Sequence, residues 1–178
     1  MTADDLKALV RNVPDFPRSG VMFRDITTLI AHAEGFAATV ALVAERVRAH
    51  DPDVIAGIEA RGFIFGAAIA AGLGLGFLPV RKPGKLPVPS LAIDYALEYG
   101  TDTLEVDPGA IATGQRVLVI DDLIATGGTA MAAVTLLRQA GAKVDHALFV
   151  IDLPDLGGMA RLREAGVAAE ALIDFPGH

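Results

Sequence analysis

The sequence predicts an α/β protein: an open, mainly parallel sheet with helices on both faces. Three observations carry this. Short apolar runs at 54–58, 77–80, 116–120 and 143–150 alternate with segments of helical periodicity, the pattern of successive βαβ units. The chain is 52% hydrophobic and lacks Trp, so its core is built of Ala, Val, Leu and Ile, as in sheets buried on both faces. Its 178 residues suffice for a single domain (1–178) with a proper core and are short for two.

Residues 4–11 read as a short helix with Asp4 and Asp5 near its start, followed by the proline- and glycine-punctuated loop PDFPRSG. Residues 21–25 read as extended. Phe36, Val40, Leu42, Val43 and Val47 recur at helical spacing and predict a helix over 35–50. The run 54–58 leaves no room for a helix and predicts a buried strand, stopping at Glu59, Ala60, Arg61 and Gly62; a helix resumes over 63–71. The strand 77–80 feeds RKPGKLPVP, a loop with three positive charges and three prolines. Residues 90–105 are polar with weak periodicity and read as a mobile excursion, with a β-hairpin as its candidate form. A strand at 116–120, a helix over 129–139, a strand at 143–150 and a helix over 155–164 complete the chain before the terminal FPGH. In open sheets of this kind, ligands sit beyond the carboxyl ends of the strands. The loops at 59–62, 81–85 and 121–129 are therefore expected to converge on one crevice.

Composition narrows the chemistry. The absence of Cys excludes disulfides, thiolate catalysis and cysteine-based metal sites, which makes the cytoplasm the simplest address. The polar N-terminal segment lacks the apolar run of a signal peptide, and no apolar stretch is long enough to suggest a membrane span. A formal net charge of -7 argues against nucleic acid or an anionic membrane as the main partner. GLGLG at 72–76 follows a helix and precedes a strand, the reverse of a dinucleotide-binding context. His32, His50, His146 and His178 show no spacing suited to a metal site or a triad.

ATGGT, residues 125–129, lies between a strand and a helix. Gly127 and Gly128 can turn consecutive amides toward a ligand, the helix head adds unpaired amides and partial positive charge, and Thr126 and Thr129 offer hydroxyls. A phosphate monoester fits. Two glycines and two threonines that merely cap a helix are the alternative, and ATGGT alone does not separate the two. Just upstream stand Asp121 and Asp122. Two acids beside a phosphate repel it unless the ligand offers hydrogen-bond donors or positive charge a few ångströms away. A ribose 5-phosphate does both, because its hydroxyls donate and its anomeric carbon becomes cationic when the bond there breaks.

VLVIDDLIATGGT (117–129) resembles the phosphoribosyl-diphosphate motif of type I phosphoribosyltransferases. PDFPRSGVMFRDIT (14–27), IAGIEARGFIFG (55–66), PVRKPGKLP (79–87), LEYGTDTLEV (97–106) and FPGH resemble the adenine-using branch of that family, in its order and spacing over essentially the whole chain. Met22 stands where that branch usually has a smaller branched residue. The resemblance implies transfer of the 5-phosphoribosyl group from 5-phosphoribosyl 1-diphosphate to adenine, giving AMP and pyrophosphate in purine salvage. It implies Mg²⁺ carried by the diphosphate rather than held directly by the protein, and a homodimer with Arg81 acting across its interface. It implies a small N-terminal hood for base recognition, about 1–33, and a flexible hairpin lid, about 90–105.

The same resemblance distributes roles. Ala125, Thr126, Gly127, Gly128 and Thr129 would bind the 5-phosphate; Asp121 and Asp122 would hold the ribose hydroxyls and face the oxocarbenium-like transition state. Glu59, Ala60, Arg61, Arg81, Lys82 and Lys85 would surround pyrophosphate, with a non-proline cis peptide between Glu59 and Ala60. Val21, Met22, Phe23 and Arg24 would read the base, with Phe23 on one face of the purine, Leu123 on the other, and backbone near Met22 and Arg24 at the amino edge. Glu98 would be the acid or base at the purine nitrogens, with Tyr99 beside it in the lid. Two rivals stand beside this reading. One is hypoxanthine or xanthine as the base, since amino and oxo purines differ by a donor-acceptor swap. The other is a non-catalytic regulator, which calls for an added nucleic-acid-binding segment or a lost lid. On this reading Glu98→Leu lowers turnover far more than it weakens binding of the sugar diphosphate; steady-state kinetics showing an unchanged kcat would remove Glu98 from the mechanism.

Overall fold

The computed structural model describes residues 1–97 and 100–177. In chain order its helices and strands are α1 (Ala3–Leu9), β1 (Arg11–Pro14), β2 (Met22–Asp25), α2 (Thr27–Ala31), α3 (Ala33–His50), β3 (Val54–Ile58), α4 (Arg61–Leu73) and β4 (Gly76–Val80). The hairpin strands β5 (Leu91–Ala96) and β6 (Thr101–Val106) follow, then β7 (Arg116–Ile124), α5 (Gly128–Gln139), β8 (Lys143–Asp152), α6 (Gly158–Glu164) and β9 (Ala168–Asp174). Five strands form one parallel sheet in the order β4-β3-β7-β8-β9. The pairs β1-β2 and β5-β6 are separate antiparallel hairpins. Among the described residues no helix is long and apolar enough to cross a membrane.

Side-chain alternation along the strands divides the core in two. Ala56, Ile58, Val117 and Val119 pack with Leu136 of α5 and Leu162 of α6 on one side of the sheet. Ile55, Leu118 and Ile120 pack on the other with Val43 and Val47 of α3 and Phe65 and Ile69 of α4. Both sides are covered, which is why these strands read as unbroken apolar runs. The hairpin β5-β6 and the N-terminal helices dock on opposite sides. The β5-β6 pair contributes Leu104 and Val106 to the α5 side, while α1 and α2 bring Leu6 and Leu29 to the α3 side.

Strand register sets up the crevice. Ile58 lies beside Val80, Gly57 beside Ile120, and the Glu59 amide donates to the Val80 carbonyl at 2.9 Å. The loops after β3 and β4 therefore start level with one another at the carboxyl edge, while β7 runs past them to Ile124 before its own loop begins. The Glu59–Ala60 peptide is cis, as the family resemblance implies.

Several elements differ from the sequence expectation. β7 runs on to Ile124, because the ladder to β8 continues through Asp121↔Phe149 and Leu123↔Ile151 despite the two acids. β9, α2 and β1 were not foreseen. β9 is an Ala-rich edge strand held by pairing to β8, a composition with weak strand propensity of its own. α1 ends at Leu9, where Val10 turns extended and hands the chain to β1. The last helix starts at Gly158 rather than 155, since Pro154–Leu156 forms a 3-10 turn ended by Gly157 in the left-handed region.

Phe65 is fully buried, with its ring centroid 5.8 Å from that of Phe36, and so bridges α4 and α3. Phe65→Ala is expected to lower the unfolding free energy by about 3–5 kcal/mol in urea titrations; a loss below about 1 kcal/mol would contradict this packing.

Candidate active site

A cavity of about 290 Å³ opens at the carboxyl edge of the sheet. It is lined by Glu59, Ala60 and Arg61 from the turn after β3, by Lys82 and Leu97, and by the continuous stretch from Asp121 to Ala130. The three loops expected to converge do so.

The stretch 125–129 curls around the head of α5. Gly127 is the N-cap in the left-handed region, with φ 79°, and a Cβ there would stand 3.0 Å from both Cα and carbonyl O of Gly158. Glycine is thus required twice over, for its backbone angle and for the close approach of α6. The first amides of α5 have no carbonyl one turn earlier to bind, and the helix dipole adds positive potential at that point. Thr129 Oγ1 points back toward the hairpin and donates to Tyr95 Oη at 3.4 Å.

Behind this cradle stand the two acids. Asp122 is almost fully buried, and the Arg61 side chain reaches it through Nε at 2.5 Å. The Asp122 amide donates to Asp121 Oδ1 at 2.9 Å. Burial first, and the Asp122 charge second, push the Asp121 carboxyl well above the usual carboxylate range. Burial also works against the Arg61 guanidinium, but Asp122 and then Asp121 outweigh it and raise its pKa. The close approach of α4 depends on Gly62, where a Cβ would lie 2.9 Å from both Asp121 Oδ1 and the Ile120 carbonyl.

Glu59 faces the basic loop. Its Oε2 accepts from the Lys82 amide at 2.8 Å and from Arg81 Nε at 3.0 Å, and the Lys82 amide is the main reason its pKa lies below the ordinary value. Glu59 therefore clamps the loop after β4 to the cis turn after β3. Lys82 Nζ is bound to Asp102 and Tyr95 of the hairpin.

A second cavity of about 410 Å³ lies under the N-terminal hairpin, lined by Val13, Phe16, Phe23, Asp25, Ile26, Thr27 and Arg61. Phe16 and Phe23 meet edge to face at 5.1 Å, leaving an aromatic wall suited to a flat heterocycle. Arg61 lines both cavities. They share a wall.

The phosphoribosyl transferase domain model matches residues 26–158. An adenine phosphoribosyltransferase of Novosphingobium aromaticivorans is 68% identical over 178 residues, with both chains covered completely. The chain belongs to the adenine phosphoribosyltransferase family. Among solved structures, the adenine phosphoribosyltransferase of Thermoanaerobacter pseudethanolicus superposes with a TM-score of 0.92 at 44% identity, covering 98% of this chain and 100% of that one. The Saccharomyces cerevisiae adenine phosphoribosyltransferase, solved with an imino-altritol bisphosphate and adenine, gives 0.87 at 36% identity, covering 96% and 98%.

Within this chain, the residues expected from sequence divide by position. Asp121, Asp122, Leu123, residues 125–129, Glu59, Ala60, Arg61 and Lys82 come together around the first cavity, and Phe23 lines the second. Arg81 turns to Glu59 and to the Phe63 ring at 5.8 Å, outside the cavity lining, and Lys85 is exposed. Val21 is exposed and Met22 half-buried, and neither lines a cavity described above. The Arg24 side chain turns to Asn12 and lies 4.6 Å from the Phe175 ring, which leaves only its backbone for a base. Glu98 and Tyr99 lie outside the described residues. Sequence reasoning missed Phe16, Asp25 and Thr27 in the second cavity and Tyr95 and Asp102 beside the first. Phe16 had a signal in PDFPRSG, where an aromatic stands between Pro14 and Pro17 in a short turn segment.

The raised Asp121 carboxyl has a consequence for stability. The folded chain holds the Asp121 proton more readily than the unfolded chain, so its contribution falls as pH rises above the ordinary carboxylate range. Asp121→Asn, which removes the ionisation and keeps the shape, is expected to melt above the wild type at pH 7.5, with the gap narrowing toward pH 4. A gap that widens on acidification would contradict the assignment.

Proposed function

We propose that 5-phosphoribosyl 1-diphosphate lies in the first cavity with its 5-phosphate on the 125–129 turn and its ribose hydroxyls at Asp121 and Asp122. Its diphosphate rests against Ala60, Arg61 and Lys82, and adenine occupies the second cavity against Phe23, with Leu123 toward the other face of the ring. The chain transfers the 5-phosphoribosyl group to adenine in purine salvage, giving AMP and pyrophosphate. The observation that carries the arrangement is the shared wall: Arg61 borders both cavities and binds Asp122. A sugar spanning the two cavities brings its anomeric carbon beside the acids.

In the reaction a purine nitrogen forms the new bond to the anomeric carbon, and the bond from that carbon to the diphosphate oxygen breaks with its electron pair leaving on pyrophosphate. The nitrogen sheds its proton; Glu98 is the base that the family resemblance supplies. Positive charge grows on the sugar before the new bond is complete. Asp121 is held where burial and Asp122 make its anion costly, so a cationic sugar relieves it more than a neutral one does, and that difference favours the transition state. Arg61 and Lys82 stabilise the departing charge.

The oxygen-rich surroundings of a diphosphate beside Asp121 and Asp122 suit a hard cation such as Mg²⁺. Among the described residues no group of three or more His, Cys, Asp or Glu is placed to hold a metal on protein atoms alone. The ion would be held chiefly by the diphosphate, with the two acids as its nearest protein anions, and when bound would neutralise the leaving group. A cytoplasmic homodimer completes the proposal, supported by the family resemblance and the Cys-free sequence.

With Mg²⁺ and the sugar diphosphate, adenine is expected to yield AMP, with hypoxanthine and xanthine at least about a hundredfold poorer in kcat/KM. IMP formed as readily as AMP would overturn the base assignment, and absence of any nucleotide product would overturn the reaction itself.

A further inference from the structure

Lys82 lines the first cavity, yet its ammonium is already engaged on the hairpin. Nζ donates to Asp102 Oδ2 and, at 3.1 Å, to Tyr95 Oη; Tyr95 Oη in turn donates to Asp102 Oδ2 at 3.2 Å. Tyr95 and Asp102 are register partners across β5 and β6, so the hairpin presents hydroxyl and carboxylate as one unit. The other Asp102 oxygen accepts from the Thr103 amide at 2.8 Å. The Tyr95 hydroxyl also accepts from Thr129 Oγ1. Its single proton and both its acceptor positions are thus used, on groups from both phosphate-facing elements. Partial burial works against the charge on Lys82, but the hydrogen bonds to Asp102 and Tyr95 outweigh it and keep the ammonium firmly protonated.

We propose that Asp102 is a built-in stand-in for the diphosphate: a carboxylate that holds the Lys82 ammonium at the cavity wall, gives it up to an incoming diphosphate and takes it back as pyrophosphate leaves. Asp102 is then a positioning residue that acts through Lys82 and sets how tightly pyrophosphate is held. The inference rests on the placement of the diphosphate against Lys82 proposed above. A lysine ammonium is a compact charge with three donors and no fixed plane, so it can pass from one oxyanion to another without rebuilding a bidentate geometry. A ligand that binds Lys82 must first outcompete Asp102, which weakens binding. A product that leaves Lys82 finds a replacement anion waiting, which eases departure.

The sign of this effect separates it from a structural role. If Asp102 only supported the hairpin, its loss would loosen the site and weaken binding. If it competes for Lys82, its loss tightens binding. Calorimetric titration of pyrophosphate with Mg²⁺ into the full chain is the test. Asp102→Asn keeps the shape and can still accept from the Thr103 amide; it is expected to lower the pyrophosphate Kd about three- to tenfold, with KM for the sugar diphosphate falling in parallel. In a Lys82→Met background the same substitution is expected to change Kd by less than about twofold. An unchanged or higher Kd for Asp102→Asn overturns the proposal. So does an equal tightening in the Lys82→Met background, which would mark direct repulsion of the ligand by Asp102. If the wild-type chain itself fails to bind pyrophosphate, the underlying site assignment fails with it, an outcome distinct from the other two.

Discussion

The pair between Arg61 and Asp122 is the contact on which the site depends. Two neighbouring carboxylates on a buried strand, next to a helix head built for anions, would be an unstable arrangement by themselves. Burial raises the cost of each charge and each raises the cost of the other. Arg61 answers this from the turn after β3. Its Nε is committed to Asp122, and Asp122 fixes Asp121 through a backbone hydrogen bond. One acid is thereby neutralised and the other kept under electrostatic pressure.

That contact requires the turn after β3 and the end of β7 to share one edge of the sheet. The central strands β3 and β7 pair in parallel with a register that ends both at the same edge, and α4 approaches β7 closely enough that only a hydrogen fits on Gly62. Glu59 ties the turn to the basic loop, so Lys82 is placed by the same few residues that place Arg61. The carboxyl edge of the sheet is therefore rigid where charges must be held in register. The β1-β2 hairpin carries the aromatic wall on one side, and the β5-β6 hairpin, packed through Leu104 and Val106, carries the Lys82 partners on the other.

Much of this was legible in the sequence because it is local. The central strands are short apolar runs bounded by turn residues, and α3 and α5 repeat at helical spacing. The cradle at 125–129 is written in consecutive residues, and so is the pair of acids. What escaped is what depends on distant partners. β9 exists because β8 offers it an edge, not because VAAEALID prefers to be extended. β7 reads as ending at Ile120 because charge interrupts the apolar run, whereas the ladder to β8 carries it through both acids. Tyr95 and Asp102 look like ordinary polar residues until hairpin register sets them opposite each other and against a lysine from another loop. The side chains of Arg24 and Arg81 have partners that no motif spells out, the Phe175 ring and Glu59, because both partners are distant in sequence.

The central claim is that amides at the head of α5 hold the sugar phosphate while acids braced by Arg61 face the sugar. A crystal structure with AMP tests it most directly. The account predicts the phosphate oxygens about 2.7–3.2 Å from the amides and hydroxyls of residues 126–129, with the ribose against Asp121 and Asp122 and the adenine beside Phe23. A phosphate seated on Lys82 and Arg61, with the 126–129 turn left to water, would contradict it.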